Sequence, residues 1–203
     1  MLLKNDLTVA VEKPIILASQ SPRRKMLLEW AEISFETMSS DTDESYPPRL
    51  AVADVAIHIA KNKALAVSAM IKDNAEKKDA VIIAADTIVV LQKEIIGKPA
   101  GRSHAIETLT KLSGATHQVI TGVCIQQPGK EICFADSTIV EFHQLTMAQI
   151  IFYVDKYKPY DKAGAYAIQE WIGVVGIKNV QGDFYNVMGL PVSRVVQVLK
   201  EMR

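Results

Sequence analysis

Continuous apolar runs along the chain predict its strands. Ile15–Leu17 is a short run, and Ala80–Leu91 is a longer one, rich in valine and isoleucine. Runs of this kind are typical of strands that are buried on both faces. Residues 33–38 are expected to be extended, and residues 117–125 and 131–142 are predicted to form a hairpin around a Pro-Gly turn. Short strand-like runs separated by glycines follow the polar loop that ends at residue 164.

Other segments carry apolar residues every three to four positions, which is the spacing of a helix with one buried face. The first of these begins at Pro22 and is expected to bury Met26, Leu27 and Trp30. A second helix is predicted over Leu50–Met70. Later helices are predicted from a Ser103 cap to Leu112, from the capping box Thr146–Gln149 to Tyr157, and from Pro191 onward.

The second of these helices carries two lysines of uncertain direction. Val52, Val55 and Ile59 lie on one stripe, and Lys63 falls on the same stripe. Lys61 lies one turn after another apolar residue, so the periodicity does not decide which lysine faces inward.

These elements predict an α/β protein, and composition agrees. The chain has 203 residues, of which 49% are hydrophobic and 23% charged, as in a folded globule. One domain is the simplest interpretation, with residues 1–13 as a short N-terminal extension; two lobes remain an alternative. The extension contains acidic residues and does not resemble a signal peptide, and the longest apolar run is interrupted by Asp86. A cytoplasmic protein is therefore expected.

Charge and cysteine content exclude several classes of function. Lysine plus arginine equals aspartate plus glutamate, at 23 each, so no overall field attracts a polyanion. We expect no nucleic-acid partner and no membrane partner, and a homodimer stays an open alternative. The two cysteines, Cys124 and Cys133, are expected to be directly opposed across the predicted hairpin and to be reduced thiols.

The strand at 15–17 leads into a helix start that is suited to anions. Ser21 is a suitable N-cap, and Pro22 suits the first helical position. Free backbone N–H groups and the guanidinium groups of Arg23 and Arg24 would then project together. An ordinary turn with solvated arginines is the alternative interpretation.

Asp86 lies in the middle of an apolar run. Burying a carboxylate is costly unless it meets a cation, a metal ion or several donors, so this position is a candidate for chemistry. An aspartate that caps a turn with Thr87 is the alternative.

The remaining polar candidates complete a set that suits phosphoryl chemistry. Cations for phosphates and carboxylates for a divalent metal such as Mg²⁺ occur at element ends: Arg23, Arg24, Glu44, Lys63, Asp86, Lys98, Asp161 and Lys162. The chain has no dinucleotide-binding glycine motif, no P-loop and no serine-hydrolase elbow. Its four histidines are scattered and are interpreted as structural or surface residues.

Ordered motifs from Ile15 to the C-terminus resemble those of one family, the Maf-like nucleotide pyrophosphatases. The segments that carry the resemblance are Leu17–Arg24, Asp43-Glu44, Lys63-Ala64, Ala85–Thr87, Gly97–Pro99, Ser113–His117, Asp161–Gln169 and Gly189–Pro191. The resemblance implies an elongated mixed β-sheet flanked by helices, with two lobes around a cleft, related to the inosine triphosphate pyrophosphatases.

It also implies a reaction, the hydrolysis of a nucleoside triphosphate to a monophosphate and pyrophosphate with Mg²⁺ or Mn²⁺. By matching motif positions, Asp86 would be the proton acceptor and, with Glu44, a metal ligand. The phosphate-binding groups would be Ser19, Arg24, Lys63 and Lys98. The base would be selected by Arg23, Thr87 and Gln169, and Asp161 and Lys162 would complete the substrate site.

The form of the Asp161–Gln169 motif resembles the branch that acts on dTTP and UTP, and modified pyrimidine nucleotides are a further substrate class. Two alternatives stay open. One is a non-catalytic regulator of cell division that binds a partner, since relatives have been linked to inhibition of septum formation. The other is an enzyme acting on modified purine nucleotides.

Overall fold

The computed structural model of the protein describes residues 13–202. Apart from Lys13, the predicted N-terminal extension lies outside the described residues. Between these bounds the chain alternates strands and helices, as the sequence predicts.

The described residues form a seven-stranded mixed sheet with the order β2-β1-β3-β5-β6-β7, and β4 pairs with β3 outside this path. Strand β1 is parallel to both β2 and β3, whereas β3 and β4, and β6 and β7, are antiparallel. The strands are β1 (Ile15–Leu17), β2 (Glu36–Thr37), β3 (Val81–Leu91), β4 (Glu94–Ile96), β5 (Thr116–Gln127), β6 (Lys130–Phe142) and β7 (Ile177–Gln181).

Helices flank this sheet. They are α1 (Pro22–Trp30), α2 (Val52–Ile71), α3 (Arg102–Leu112), α4 (Met147–Tyr157), α5 (Trp171–Gly176), α6 (Phe184–Met188) and α7 (Val192–Glu201), and a single 3₁₀ turn covers Ala163–Ala165. The predicted α/β class with a mixed sheet is confirmed.

The chain divides into two compact units. The first unit contains the described residues up to Asp86, together with Thr121–Ala135 and the described residues from Gly189 onward. The second unit contains Thr87–Ile120 and Asp136–Met188. The assignment of the whole chain to one domain stays a prediction.

In the first unit, α2 packs on the sheet through small side chains. Ala56, Ala60 and Ala64 are fully buried and follow one another at four-residue spacing, so they lie on one face of the helix. Opposite them on β5, a Cβ atom at Gly122 would lie 2.2 Å from the backbone carbon of Ala56. The close approach of helix and strand therefore requires glycine at this position.

The hairpin of β5 and β6 is confirmed, and its connection is the two-residue segment between Gln127 and Lys130. As predicted, Cys124 and Cys133 are directly opposed, with Cα atoms 4.2 Å apart, and both pack against the core beneath α2. The expectation of reduced thiols is wrong for this structure, since the two residues form a disulfide. Composition gave no sign of the bond because two cysteines alone do not indicate a disulfide framework.

Helix α1 begins at Pro22 with Ser21 at the N-cap position, as predicted, although the Ser21 side chain makes no cap bond. Two other predictions, a helix start and a buried face, are corrected. Helix α3 begins at Arg102, after Gly101, rather than at a Ser103 cap. Helix α1 buries Leu27 and Leu28, whereas Trp30 is 60% exposed. The buried face of α1 is centred between Leu27 and Leu28. Successive residues are about 100° apart around a helix, so Trp30 lies roughly 110° from this centre and faces away from the sheet.

The strand-like runs expected after residue 164 are only partly strands. The segment contains one strand, β7, and the short helices α5 and α6. A Cβ atom at Gly173 would lie 1.7 Å from the carbonyl oxygen of Ile168, so α5 folds directly against the turn before it. Runs this short do not distinguish strand from helix by periodicity, which explains the error.

Candidate active site

The first unit buries Asp86 on β3 and pairs it with a lysine. The Nζ atom of Lys63 lies 2.7 Å from Oδ1 of Asp86 and 2.8 Å from Oε1 of Glu44. One ammonium group therefore bridges two carboxylates. This is the cation that a buried carboxylate requires, as the sequence predicts for Asp86.

The same contact decides between the two lysines of α2. Lys63 points to Asp86, and its side chain is only 18% exposed. Lys61 instead pairs with Glu131 on β6, at 2.7 Å. Lys63 is therefore the lysine that belongs to the site.

Glu44 reaches Lys63 from the acidic loop before α2. Its neighbour Asp43 holds the local turn, because its carboxylate accepts hydrogen bonds from the Ser45 hydroxyl at 2.6 Å and the Ser45 N–H at 2.9 Å. These bonds, the side-chain bond first, lower the pKa of Asp43. The two acidic residues thus divide their roles, one fixing the loop and the other contacting the site lysine.

A second set of contacts lies where β1 leads into α1. Nη1 of Arg24 and the backbone N–H of Ser21 both donate to the Ser19 hydroxyl oxygen, each at 3.2 Å. Nε of Arg24 donates to the Gly189 carbonyl oxygen at 2.7 Å. The guanidinium is thereby held between the β1–α1 turn and the segment before α7.

The two sets share one electrostatic environment. Burial lowers the pKa of Arg24, the charge of Asp86 opposes this effect, and the neighbouring Arg23 adds to it. The charge of Glu44 also acts to raise the pKa of Arg24. Arginine stays protonated because its ordinary pKa is far above neutrality. The three cations of this environment are Arg23, Arg24 and Lys63, and the two carboxylates are Glu44 and Asp86. Together they have one positive charge in excess, which suits a polyanionic ligand.

The remaining predicted site residues belong to the second unit. Thr87 follows Asp86 on β3 and is partly buried, and Lys98 is exposed in the segment after β4. The Gly164 N–H donates to the Gly97 carbonyl oxygen at 3.3 Å, which brings the segment of Lys98 beside the Asp161–Gln169 motif.

Within that motif, Lys162 and Gln169 differ in exposure. The ammonium of the buried Lys162 donates to Oδ1 of Asp161 at 2.8 Å and lies 3.7 Å from Oε1 of Glu170. Gln169 is exposed. The structure therefore groups the predicted residues by unit: Ser19, Arg23, Arg24, Glu44, Lys63 and Asp86 in the first, and Thr87, Lys98, Asp161, Lys162 and Gln169 in the second.

Sequence reasoning missed Glu170 and Tyr153, which contact this motif, and the carbonyl of Gly189. A tyrosine on the apolar face of a predicted helix is a usable signal, because a buried hydroxyl normally has a hydrogen-bond partner. Glu170 directly follows Gln169, the last residue of the motif. The two side chains have the same length and differ in that Glu170 is acidic, so its place next to the motif is the only signal for it in the sequence.

The first unit offers ligands that fit a divalent metal. The carboxylates of Glu44 and Asp86 converge on one ammonium group, so their oxygens approach a common point. Mg²⁺ and Mn²⁺ prefer such oxygen ligands, and Mg²⁺ commonly binds to one or two carboxylates together with substrate phosphates. Within residues 13–202, a cluster of three candidate ligands occurs only at Cys124, Glu131 and Cys133, where the sulfurs are already joined.

The helices in the described part of the chain all lack the combination of length and apolar character that crossing a membrane requires.

The fold and the charged groups define an α/β protein with a candidate phosphate and metal site. The sequence profile of the family described as Maf-like protein matches residues 14–202, and the chain belongs to this family.

Several similar curated proteins are named dTTP/UTP pyrophosphatase. The relative from Cytophaga hutchinsonii is 49% identical over 93% of this chain and 84% of its own length. The relative from Parabacteroides distasonis is 48% identical over 92% of this chain and 94% of its own length. That from Bacteroides thetaiotaomicron is 44% identical, with 93% and 95% covered.

Among solved structures, the Ham1 protein of Staphylococcus aureus is similar in fold. The match has a TM-score of 0.52 and covers 94% of this chain and all of that one, at 15% sequence identity.

Proposed function

We propose that this protein is a nucleoside triphosphate pyrophosphatase that hydrolyses dTTP and UTP to the monophosphate and pyrophosphate. The observation that carries the proposal is the contact of Lys63 with both Asp86 and Glu44 beside Arg24. It combines a buried carboxylate, a metal-suited carboxylate and phosphate-suited cations. Relatives that share 44–49% of their residues with this chain and are named dTTP/UTP pyrophosphatase support the same activity.

In this mechanism Asp86 accepts the proton of the attacking water. The water oxygen bonds to the α-phosphorus, and the bond from that phosphorus to the bridging oxygen breaks, so that pyrophosphate leaves. Lys63 orients the Asp86 carboxylate through their 2.7 Å contact. An ammonium group has three N–H donors, so Lys63 can keep both carboxylates and still donate to a phosphate oxygen.

Phosphate binding falls to Ser19, Arg24, Lys63 and Lys98. Arginine's planar fork can donate two hydrogen bonds to phosphate oxygens, and the contacts of Arg24 with Ser19 and Gly189 fix its orientation in advance. Less side-chain freedom is then lost when the ligand binds.

Glu44 and Asp86 would hold the divalent cation, Mg²⁺ or Mn²⁺. When bound, the cation neutralises phosphate charge and polarises the phosphoryl oxygens. The residues themselves orient the water and take its proton.

We assign recognition of the nucleotide base to Arg23, Thr87 and Gln169. Asp161 and Lys162 complete the proposed substrate site. Gln169 is exposed, and its side-chain amide offers both a donor and an acceptor. Uracil and thymine present an N3–H donor beside the O4 acceptor, whereas cytosine presents an N3 acceptor beside the N4 amino donor, so an amide held in one orientation pairs with the first two bases and not with cytosine.

The test is a panel of standard and modified nucleotides with Mg²⁺ or Mn²⁺, followed by the release of pyrophosphate and monophosphate. We expect dTTP and UTP to give the highest kcat/KM, and a removal of metal by chelator to abolish turnover. Equal kcat/KM for CTP and UTP would contradict the pyrimidine selectivity. A complete lack of nucleotide hydrolysis would favour the non-catalytic regulator.

A further inference from the structure

A chain of hydrogen bonds inside the second unit joins α4 to the turn that carries Gln169. The Tyr153 hydroxyl accepts a hydrogen bond from the Ala167 N–H at 3.1 Å and donates one to Oε2 of Glu170. The Glu170 N–H in turn donates to the Ala167 carbonyl oxygen at 3.1 Å. One hydroxyl therefore contacts both ends of the turn 167–170, and Gln169 lies between them.

Glu170 extends this chain to Lys162. Its other carboxylate oxygen lies 3.7 Å from the Lys162 ammonium, which also donates to Asp161. The Lys162 side chain is only 10% exposed, so these acidic neighbours take the place of water around its ammonium group. The contacts of Tyr153 and Glu170, called the anchor below, therefore hold both the Lys162 ammonium and the turn that carries Gln169.

The anchor is inside the protein. Tyr153 is fully buried, and its ring stacks on Tyr157 with a centroid separation of 4.9 Å. Ala167 is also buried, so its N–H cannot turn to water without moving the turn. The packing of the Tyr153 ring fixes the position of its hydroxyl, and the hydrogen bonds of the hydroxyl fix the position of the turn 167–170.

We propose that Tyr153 and Glu170 are positioning residues for base recognition. They hold Gln169 in the orientation that pairs with uracil or thymine, and they hold the Lys162 ammonium in place. This inference rests on the proposed function and extends it to residues that do not touch the nucleotide. Tyr153 acts on Gln169 from α4 through the turn, and Glu170 acts through Lys162.

The first test compares Tyr153→Phe with Tyr157→Phe. The first variant removes the buried hydroxyl and keeps the ring, and the second removes a hydroxyl from the stacked neighbour. We expect Tyr153→Phe to lower the ratio of kcat/KM for UTP over CTP about tenfold, mainly through a higher KM for UTP, because two hydrogen bonds are lost. The kcat for UTP should change by less than about threefold, since the Asp86 group is untouched. Tyr157→Phe should retain the wild-type ratio.

The second test separates the two contacts of Glu170. Glu170→Gln keeps a hydrogen-bonding partner for Tyr153 but removes the charge beside Lys162, whereas Glu170→Ala removes both. We expect the glutamine variant to keep base discrimination within about threefold of the wild type while KM rises for both nucleotides, and the alanine variant to lose discrimination as well. Equal loss of discrimination in both variants would contradict the role of the Tyr153 contact.

A readout without nucleotide distinguishes failure of the anchor from failure of the proposed function. Amide hydrogen exchange of peptides covering 165–170 should be faster in Tyr153→Phe than in Tyr157→Phe, with no difference elsewhere. Equal exchange rates of residues 165–170 in the two variants would contradict the claim that the Tyr153 hydroxyl holds this turn. A selective wild type with an equally selective Tyr153→Phe overturns the inference and leaves the proposed function standing, whereas a wild type that does not distinguish UTP from CTP overturns both.

Discussion

Asp86 is buried on β3, and the Lys63 ammonium lies 2.7 Å from its carboxylate, so the buried charge has the partner that it requires. The sequence predicted that Asp86 needs a cation, because an apolar run interrupted by a carboxylate is costly to bury. It could not predict which cation, since Lys61 and Lys63 fit the helical pattern equally well. The choice depends on how α2 packs, which is a tertiary property.

We expect Asp86→Asn to lower kcat by about 100-fold or more, because the amide cannot accept the proton of the attacking water. The amide is isosteric and can still accept a hydrogen bond from Lys63, so the melting temperature should change little. Steady-state kinetics with UTP and thermal unfolding check the two statements. A variant within a few-fold of wild-type kcat would remove Asp86 from the role of base.

Glu44→Gln should instead change the metal requirement. Its side chain is 47% exposed, so the substitution leaves the fold intact. A neutral amide is a weaker ligand for Mg²⁺ than a carboxylate, and we expect the metal concentration for half-maximal activity to rise about tenfold. The measurement is a titration of activity with Mg²⁺ at saturating UTP. The matched control is Asp41→Asn, which removes an exposed carboxylate from the same loop and should leave the metal titration unchanged.

His117 predicts a pH dependence of folding stability. It is buried, its Nε2 atom is hydrogen-bonded to the Tyr166 hydroxyl at 2.7 Å, and burial lowers its pKa from 6.5 to about 4. The unfolded chain takes up a proton at this position below pH 6.5, whereas the folded chain does so only near pH 4. The free energy of unfolding should therefore fall by about 3 kcal/mol as the pH drops through this window, and the contribution should be constant above it.

Urea unfolding of wild type and His117→Gln at pH values from 4 to 7.5 tests this. The variant has no group that titrates at this position, so its stability should fall less than that of the wild type over the acidic part of the range. Parallel curves for the two proteins would contradict the buried, neutral histidine.

At the scale of elements, prediction succeeded where one pattern dominates. The long apolar run of β3, the hairpin of β5 and β6 and the capping box of α4 each carry a local signal, and the structure has all three. Helices α5 and α6 were missed because they are only six and five residues long, so periodicity has too few positions to act on. The Tyr153–Glu170 contact was missed because it joins residues 17 apart across different elements.

The hairpin allows a prediction about redox state. The disulfide closes a segment with a sequence separation of 9 between Cys124 and Cys133. Reduction should lower the free energy of unfolding by about 2–3 kcal/mol, because the unfolded chain regains the freedom that the bond removes. Urea unfolding with and without reductant measures the change. Cys133→Ser should be insensitive to reductant, and equal reductant effects on this variant and the wild type would contradict a role of the bond.

At the scale of the whole molecule, the even balance of 23 acidic and 23 basic residues contrasts with the local excess of positive charge around Arg24 and Lys63. A protein with no net charge attracts a long polyanion weakly, so phosphate recognition has to come from the few residues of the site. This is why composition predicts no nucleic-acid partner but cannot predict a phosphate site, for which the β1–α1 motif is the signal.

The contrast can be measured with two ligands of different length. We expect a non-hydrolysable UTP analogue to bind with a Kd that weakens only a few-fold between 50 and 200 mM salt, because few cations contact it, and a 20-nucleotide RNA to show no binding at physiological salt. Fluorescence anisotropy with both ligands makes the comparison. Arg24→Ala should weaken the binding of the nucleotide analogue and leave the RNA result unchanged. RNA binding with a steep salt dependence would mean that a basic surface outside this site governs the interactions of the protein.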